Sequence, residues 1–170
     1  MAEEKTNLIG NLPDDERWFL QRVDGFLDLG MTRKAREELA RVAPEHHASA
    51  AYRAISMRIA FEEKDWSQAA DIASSLREQF PNDPGFWIQL AYAKRRSDGI
   101  EVARHILTDA LVRFPNVATI PFNLACYECQ LGRLDEAMRR LNQAVALDAH
   151  CRDAALEDED LRALWPKIGG

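Results

Sequence analysis

The sequence predicts an all-α protein made of stacked helix pairs, because its apolar residues repeat at one fixed interval. Alanine recurs four times at this interval, at Ala35, Ala69, Ala103 and Ala137. Four residues beyond each alanine stand Leu39, Ala73, Leu107 and Leu141, and seven beyond stand Val42, Leu76, Ala110 and Ala144. Apolar residues at i, i+4 and i+7 form one face of a helix. Such a chain is a solenoid of small repeats, which presents a long surface to a partner.

Glycine and proline mark where the helices end. Gly30 and Gly132 share one column of the repeat, where a helix can end on a residue that adopts a positive φ. Pro81 and Pro115 share another column and close the second helix of their repeats. The chain then divides into four units, which begin near Glu16, Ala50, Pro84 and Ala118.

At these columns the chain resembles the tetratricopeptide repeat (TPR) family, whose pattern is Trp-x2-Leu-Gly-x2-Tyr, then Ala-x3-Phe, then Pro. The third unit carries Trp87, Leu90, Ala91, Ala103, Leu107, Ala110 and Pro115, and the fourth carries Leu124, Ala125, Ala137, Leu141 and Ala144. The resemblance implies a bacterial protein that folds as a right-handed superhelical solenoid of antiparallel helix pairs, with about four TPR units. We expect a loose N-terminal segment over residues 1–13, a TPR domain over 14–151 with units near 16–49, 50–83, 84–117 and 118–151, and a C-terminal capping helix within 152–170.

Local chemistry places the individual helices. First helices are predicted over residues 14–29, 47–63, 84–97 and 119–131, and second helices over 32–43, 66–79, 100–113 and 134–147. Asp83, before Pro84, is expected to cap a first helix, and Thr32, Asp65 and Asp98 are expected to cap second helices. The last first helix should begin near Thr119, because Pro121 would clash with a preceding helical turn. Leucines and a tryptophan at nearly helical spacing between Arg152 and Trp165 predict the capping helix.

Composition and charge exclude several function classes. The chain is 46% hydrophobic and 29% charged, and it has no apolar run near the ~20 residues that span a bilayer. Its start, MAEEKTNLIG, lacks the apolar stretch of a secretory signal, so we expect a cytoplasmic location and no membrane partner. The formal charge of −6 comes mainly from the two ends of the chain, so the repeats lack the basic surplus that nucleic-acid binding needs.

The sequence offers little catalytic chemistry. It has no glycine-rich phosphate loop, no H-E-x-x-H and no G-x-S-x-G, so we expect no catalytic residues, metal or cofactor. Cys126 and Cys129 form a C-x-x-C, which with His150 and Cys151 offers four candidate metal ligands. Because the pair lies in mid-helix, where a thiolate is not stabilised, reduced thiols that are buried or line a groove are favoured over a metal or redox site. The adjacent His46 and His47 are expected to be solvated loop residues.

The TPR resemblance also implies that first helices line a concave groove and second helices form its convex back. Ten side chains of units two to four are then expected to line a partner-binding groove: Arg58, Phe61, Glu62, Ile88, Tyr92, Arg95, Arg96, Phe122, Cys126 and Cys129. Apolar groups beside arginines suit a peptide with apolar anchors and acidic residues. Two alternatives stay open. These side chains could pack repeat against repeat, or the chain's own C-terminal segment could fill the groove.

The sequence therefore predicts a non-catalytic adaptor or scaffold that binds a protein or peptide partner. Two other functions remain open: a small TPR chaperone for a secreted or unstable client, and a regulatory or assembly subunit of an enzyme complex. Copurification of a secreted client would identify the chaperone. Sedimentation at two concentrations would distinguish a monomer from a weak homodimer, since both are compatible with the sequence.

Two packing expectations follow from the repeat register. The four column alanines should be buried where the two helices of a unit cross, because only a small side chain permits close approach there. Lys94 and Glu128 share a column in adjacent units, and neighbouring first helices lie ~8–10 Å apart. We therefore expect these two side chains to form an ion pair.

Overall fold

The computed structural model describes residues 14–169, and for residues 14–16 it describes the backbone alone. The segment 1–13, expected to be loose, lies outside the described residues. The described chain consists of helices joined by short turns and contains no strand. Its helices are α1 (Asp14–Asp28), α2 (Thr32–Leu39), α3 (Ala50–Glu62), α4 (Trp66–Gln79), α5 (Pro84–Ser97), α6 (Ile100–Arg113), α7 (Thr119–Gln130), α8 (Leu134–Leu147), α9 (Cys151–Glu157) and α10 (Trp165–Ile168). Within residues 14–169, no helix combines the length and the apolar character needed to cross a membrane.

The eight repeat helices lie where the period of the sequence predicts them, and the largest differences occur between the first and second units. There α2 ends at Leu39 and α3 begins only at Ala50. Residues Pro44–His46 form a 3-10 turn instead. The hydroxyl of Ser49 then accepts a hydrogen bond from the backbone N–H of Tyr52 at 3.2 Å, which caps α3.

Two of the predicted helix caps are confirmed. Asp65 accepts a hydrogen bond from the backbone N–H of Gln68 at 3.0 Å, and Asp83 accepts one from Gly85 at 2.8 Å. The start of α7 at Thr119 is also confirmed, which places Pro121 in the first turn, where a proline does not disrupt the helix.

Two other predicted caps are wrong. Helix α2 follows Met31 and helix α6 follows Gly99, and neither helix start has a side-chain cap. Asp98 instead accepts a hydrogen bond from Lys94 Nζ at 2.7 Å, one turn earlier in α5. A lysine four residues before an aspartate lies on the same side of a helical turn, so Lys94 reaches Asp98 just beyond the end of α5, and the carboxylate is not available to the next helix.

The glycine column at the helix ends is confirmed, and it has an additional member. Gly30 has φ 68° and Gly132 has φ 75°. Lys64 lies in the same column, one repeat after Gly30, and also adopts a positive φ of 60°. Because a side chain at positive φ is strained, the helix end at Lys64 is imposed by the repeat geometry and not by local preference.

The chain divides into two compact bodies, Met1–Ala93 and Lys94–Gly170, with the boundary inside α5. In the N-terminal body, α1 packs on α2 and α3 packs on α4. One core there consists of Leu20, Val23, Leu27, Ala35, Leu39, Val42, Ala51, Ile55 and Ile59. In the C-terminal body, α7 packs against α6 and α8, and the chain after α8 packs against α7 and α8.

The alanine column is buried as predicted. Ala35, Ala69, Ala103 and Ala137 each have a relative exposure of 0%. Each lies in the second helix of its unit, so the period marks a real packing position in all four repeats.

The end of the chain differs from the single capping helix expected between Arg152 and Trp165. Helix α9 stops at Glu157, residues Glu159–Leu164 form a 3-10 turn, and α10 follows. The break is at Asp158, which has extended backbone angles and whose carboxylate accepts a hydrogen bond from the N–H of Asp160 at 2.9 Å. A side chain that caps a new turn competes with continuation of the helix, so the acidic run ends α9.

The expected ion pair between Lys94 and Glu128 is wrong. Lys94 pairs with Asp98, the residue that follows its own helix. Glu128 is 4% exposed and pairs with Arg104 of α6 at 3.5 Å and with Arg133 before α8 at 3.3 Å. Because a buried carboxylate is costly without a cation, these two arginines from neighbouring elements satisfy it.

Candidate partner-binding site

An open cavity of about 370 Å³ lies between α3 and α5 in the N-terminal body. We call it the aromatic cavity, and it is lined by Arg58, Phe61, Glu62, Ile88, Gln89 and Tyr92. Five of these six side chains belong to the groove set expected from the TPR resemblance, and Gln89 is the addition. The spacing in sequence explains the arrangement, because residues three and four apart in a helix share a face. Arg58, Phe61 and Glu62 are spaced in this way in α3, as Ile88 and Tyr92 are in α5.

Three aromatic rings meet at one end of this cavity. The ring centroids of Phe61 and Tyr92 are 5.6 Å apart in an edge-to-face arrangement, and Trp66 lies 6.1 Å from Tyr92 and 6.3 Å from Phe61. Tyr92 remains 42% exposed. Trp66 was missed by the sequence analysis, since its position at the start of α4 places it in the column of ordinary apolar residues Ile100 and Leu134.

The charges at the aromatic cavity are already partly paired. Arg58 donates to the carboxylate of Asp24 and, through Nη2, to Oδ1 of Asp28 at 2.9 Å. Glu62 is exposed, and no side chain in the described part of the chain forms an ion pair or hydrogen bond with it. The cavity therefore has one guanidinium that is already paired with carboxylates of this chain, and one carboxylate that is exposed to solvent.

The other five predicted groove residues, Arg95, Arg96, Phe122, Cys126 and Cys129, belong to the C-terminal body. Arg96 is exposed and Phe122 is half-buried. Cys126 and Cys129 are buried, with relative exposures of 3% and 7%.

The chain's own C-terminal segment covers the face of α7 that carries these two cysteines. Arg95 Nη1 lies 2.5 Å from Oδ2 of Asp160, and Gln130 Nε2 donates to the backbone carbonyl of Asp160 at 3.0 Å. Leu161 and Leu164 are fully buried beside these contacts. On α7, the structure thus corresponds to the alternative in which the C-terminal segment fills the expected groove.

Burial beneath this segment sets the chemistry of the thiols. Burial, together with the charge of Asp158, raises the pKa of the Cys126 thiol, and the sulfur donates to Oδ2 of Asp158 at 3.5 Å. Burial also raises the pKa of Cys129 and of Cys151. A thiol with a raised pKa is a poor nucleophile at neutral pH. Among residues 17–169, no group of three His, Cys, Asp or Glu side chains could hold a metal ion.

Arg95 is committed to contacts within the chain. The hydrogen bond to Asp160 raises the pKa of its guanidinium, which also lies 5.1 Å from the ring centroid of Tyr127. Burial raises the pKa of Tyr127 to about 12. Since Arg58 and Arg95 both hold carboxylates of this chain, an acidic peptide would have to displace one of those carboxylates to reach either guanidinium.

The histidine pair also differs from expectation. His47 is half-buried, its Nε2 lies 2.9 Å from the carbonyl oxygen of Val42, and its ring stacks on Tyr52 at 4.2 Å. The prediction of a solvated loop residue is therefore wrong for His47. Stacking on Tyr52 ties the turn after α2 to the first turn of α3.

Comparisons with known proteins identify the fold. No family model matches the sequence, and no curated protein matches it. Solved structures do match: TTC0263, described as a thermophilic TPR protein of Thermus thermophilus, aligns with a TM-score of 0.69 over 91% of this chain and 83% of its own, at 20% identity. The chain has the TPR fold.

Two crystal forms of MamA AMB-1 support the same assignment of the TPR fold. The C2221 form aligns with a TM-score of 0.64 at 19% identity, and covers 79% of each chain. The P212121 form aligns with a TM-score of 0.63 at 18% identity, over 84% of this chain and 79% of its own. At these identities the likeness concerns the TPR helix pairs and not the side chains of a binding site.

Proposed function

We propose that this TPR chain is a non-catalytic protein-interaction module, an adaptor or scaffold, and that it binds a partner segment in the aromatic cavity. The observation that supports this most is the exposed Tyr92, which lies beside Phe61 and Ile88 in an open cavity formed by two first helices. The proposal keeps the cytoplasmic location expected from the sequence.

The size and the lining of the cavity favour this function. A volume of about 370 Å³ is within the range of ligand sites, which are mostly apolar with a few polar groups. Tyrosine and arginine are enriched among residues that dominate binding energy, and aromatic rings lose little conformational entropy when they are held. Here Trp66 and Phe61 already restrict the ring of Tyr92.

Affinity capture followed by point variants tests the proposal. The partner recovered from a native lysate is measured against Tyr92→Ala, and against Arg139→Glu as a control on α8, where the arginine side chain is 75% exposed. We expect Tyr92→Ala to weaken binding by about tenfold or more, the effect of removing an interface hot spot. Arg139→Glu should bind as the parent does.

Circular dichroism and thermal unfolding of both variants establish that the fold is intact. Normal binding by Tyr92→Ala, together with loss of binding by Arg139→Glu, would move the site to the second helices. A secreted or unstable client among the recovered proteins would make the module a chaperone and not an adaptor.

A further inference from the structure

We propose that the occupant of the aromatic cavity is a peptide segment with a lysine or arginine next to an apolar side chain, and not the acidic segment that the sequence suggests. This inference rests on the proposed function, because it specifies the partner of the same site. The supporting observations are the charges of the cavity and the way in which the C-terminal segment packs on α7.

The paired charges of the cavity disfavour an incoming carboxylate. Arg58 is the one basic residue in the lining, and Asp24 and Asp28 already hold its guanidinium. An acidic peptide would have to displace one of these carboxylates and would approach Glu62. A lysine or arginine of the partner would instead meet the exposed carboxylate of Glu62, which has no partner within residues 17–169.

The exposed aromatic ring offers the same cation a second contact. Tyr92 is 42% exposed, and a cation over an aromatic face is attracted by the ring quadrupole. This chain uses the contact elsewhere, since Arg95 lies over Tyr127 at 5.1 Å and Arg22 lies over Trp18 at 4.5 Å. Phe61 and Ile88 would then receive the apolar side chain next to the cation.

The C-terminal segment shows how a segment sits on a first helix of this chain. Asp160 of that segment meets Arg95, its backbone carbonyl meets Gln130, and Leu161 and Leu164 supply buried apolar anchors. An occupant therefore needs apolar anchors, one charged side chain and a backbone contact. Gln89, which lines the aromatic cavity, offers an amide for a backbone contact of this kind.

The repeat register removes from the aromatic cavity the cation that receives the acidic segment on α7. The column that holds Arg95 in unit three holds Phe61 in unit two, one repeat earlier. The column that holds the neutral Gln130 in unit four holds Arg96 in unit three and Glu62 in unit two. Thus the cation that receives the acidic segment on α7 is replaced by an apolar ring at the aromatic cavity.

A pair of synthetic peptides with opposite charge tests the inference on the full chain. One peptide copies residues 158–166, DEDLRALWP, and the other is KKKLRALWP, in which the three acids become lysines. Both are fluorescently labelled, and their binding is followed by anisotropy at low and at physiological salt. We expect the basic peptide to bind at least about tenfold more tightly, with a preference that decreases as salt screens the charges.

Three variants assign the site and the charge. Glu62→Gln should weaken binding of the basic peptide by roughly threefold to tenfold and leave binding of the acidic peptide nearly unchanged. Glu78→Gln, which removes an exposed carboxylate from α4 of the same unit, should leave the binding of both peptides unchanged. Tyr92→Ala should weaken the binding of both peptides, since it removes part of the cavity wall.

The outcomes distinguish failure of the basic partner from failure of the cavity as a binding site. If both peptides depend on Tyr92 but the acidic one binds as well as the basic one, the basic partner is wrong and the cavity remains the site. If Glu62→Gln and Glu78→Gln weaken the basic peptide equally, its binding reflects net charge and the inference is overturned. If neither peptide binds at millimolar concentration, or Tyr92→Ala has no effect, both proposals fail.

Discussion

At the scale of single residues, burial decides what the cysteines of this chain can do. A C-x-x-C pattern is compatible with a redox pair or half of a metal site. In the structure Cys126 is buried and lies against the carboxylate of Asp158, so the neutral thiol is the favoured form.

The raised pKa of Cys126 predicts a loss of stability in mildly alkaline solution. A thiol in the unfolded chain ionises near pH 8.5, whereas the buried thiol stays protonated to a higher pH. This contribution to stability is therefore complete below the unfolded pKa and is lost as the pH rises above it. Between pH 8 and pH 9.5 we expect the free energy of unfolding to fall by about 1 kcal/mol more in the parent protein than in Cys126→Ala.

Urea unfolding at both pH values measures this difference. Cys151→Ala is the comparison: burial raises the pKa of Cys151 too, but this side chain is only half-buried, so its removal should change the pH profile less than removal of Cys126 does. Parallel pH profiles for the parent and for Cys126→Ala would show that burial of this thiol is not coupled to folding.

At the scale of the helix pair, the alanine column sets how closely two helices approach. Ala103 is fully buried in α6. We expect Ala103→Leu to destabilise the protein by about 1–3 kcal/mol, because added methylenes in a close-packed crossing force the helices apart. The melting temperature should fall by roughly 2–4 °C for each kcal/mol in a chain of this length.

Ala146→Leu in α8 is a matched control, since Ala146 is exposed in the last turns of a second helix. Leucine and alanine both favour helix, so this change should leave the melting temperature nearly unaltered. If Ala103→Leu and the parent protein have the same melting temperature, the alanine column accepts a larger side chain and does not set the distance between the two helices.

At the scale of the whole molecule, the chain covers its own last repeat. Asp160 lies 65 residues from Arg95 in sequence and forms an ion pair with it at 2.5 Å. Asp160→Asn keeps the size of the side chain and removes its charge, so the C-terminal segment should open more often. We expect Cys126 and Cys129 to react with a thiol reagent about threefold to tenfold faster in this variant, while Cys151 reacts as before.

Glu159→Gln provides the control for the thiol experiment. Glu159 is in the same segment, is 74% exposed, and within the described part of the chain pairs only with Arg162, at 3.5 Å. If both variants accelerate the two thiols equally, general loosening of the segment accounts for the effect. Unchanged reactivity in Asp160→Asn would show that the buried leucines alone hold the segment on α7.

The sequence by itself determined the helices and the buried columns, because both depend on local periodicity. The single repeat spacing predicts the position of every repeat helix, and the structure confirms the four buried alanines and the glycines at two helix ends. The resemblance to the TPR family also named five of the six side chains that line the aromatic cavity, since these are in fixed columns of the first helices.

Only the tertiary structure decided which charges meet and which face of the chain is covered. Arg58 is far from Asp24 in sequence, and Arg95 lies 65 residues from Asp160, so neither pairing is visible in a local pattern. Lys94 pairs with Asp98 immediately after its own helix, whereas Glu128 pairs with two arginines on other elements. Charged side chains are long and each has several candidate partners, so their pairing depends on distances that packing alone sets.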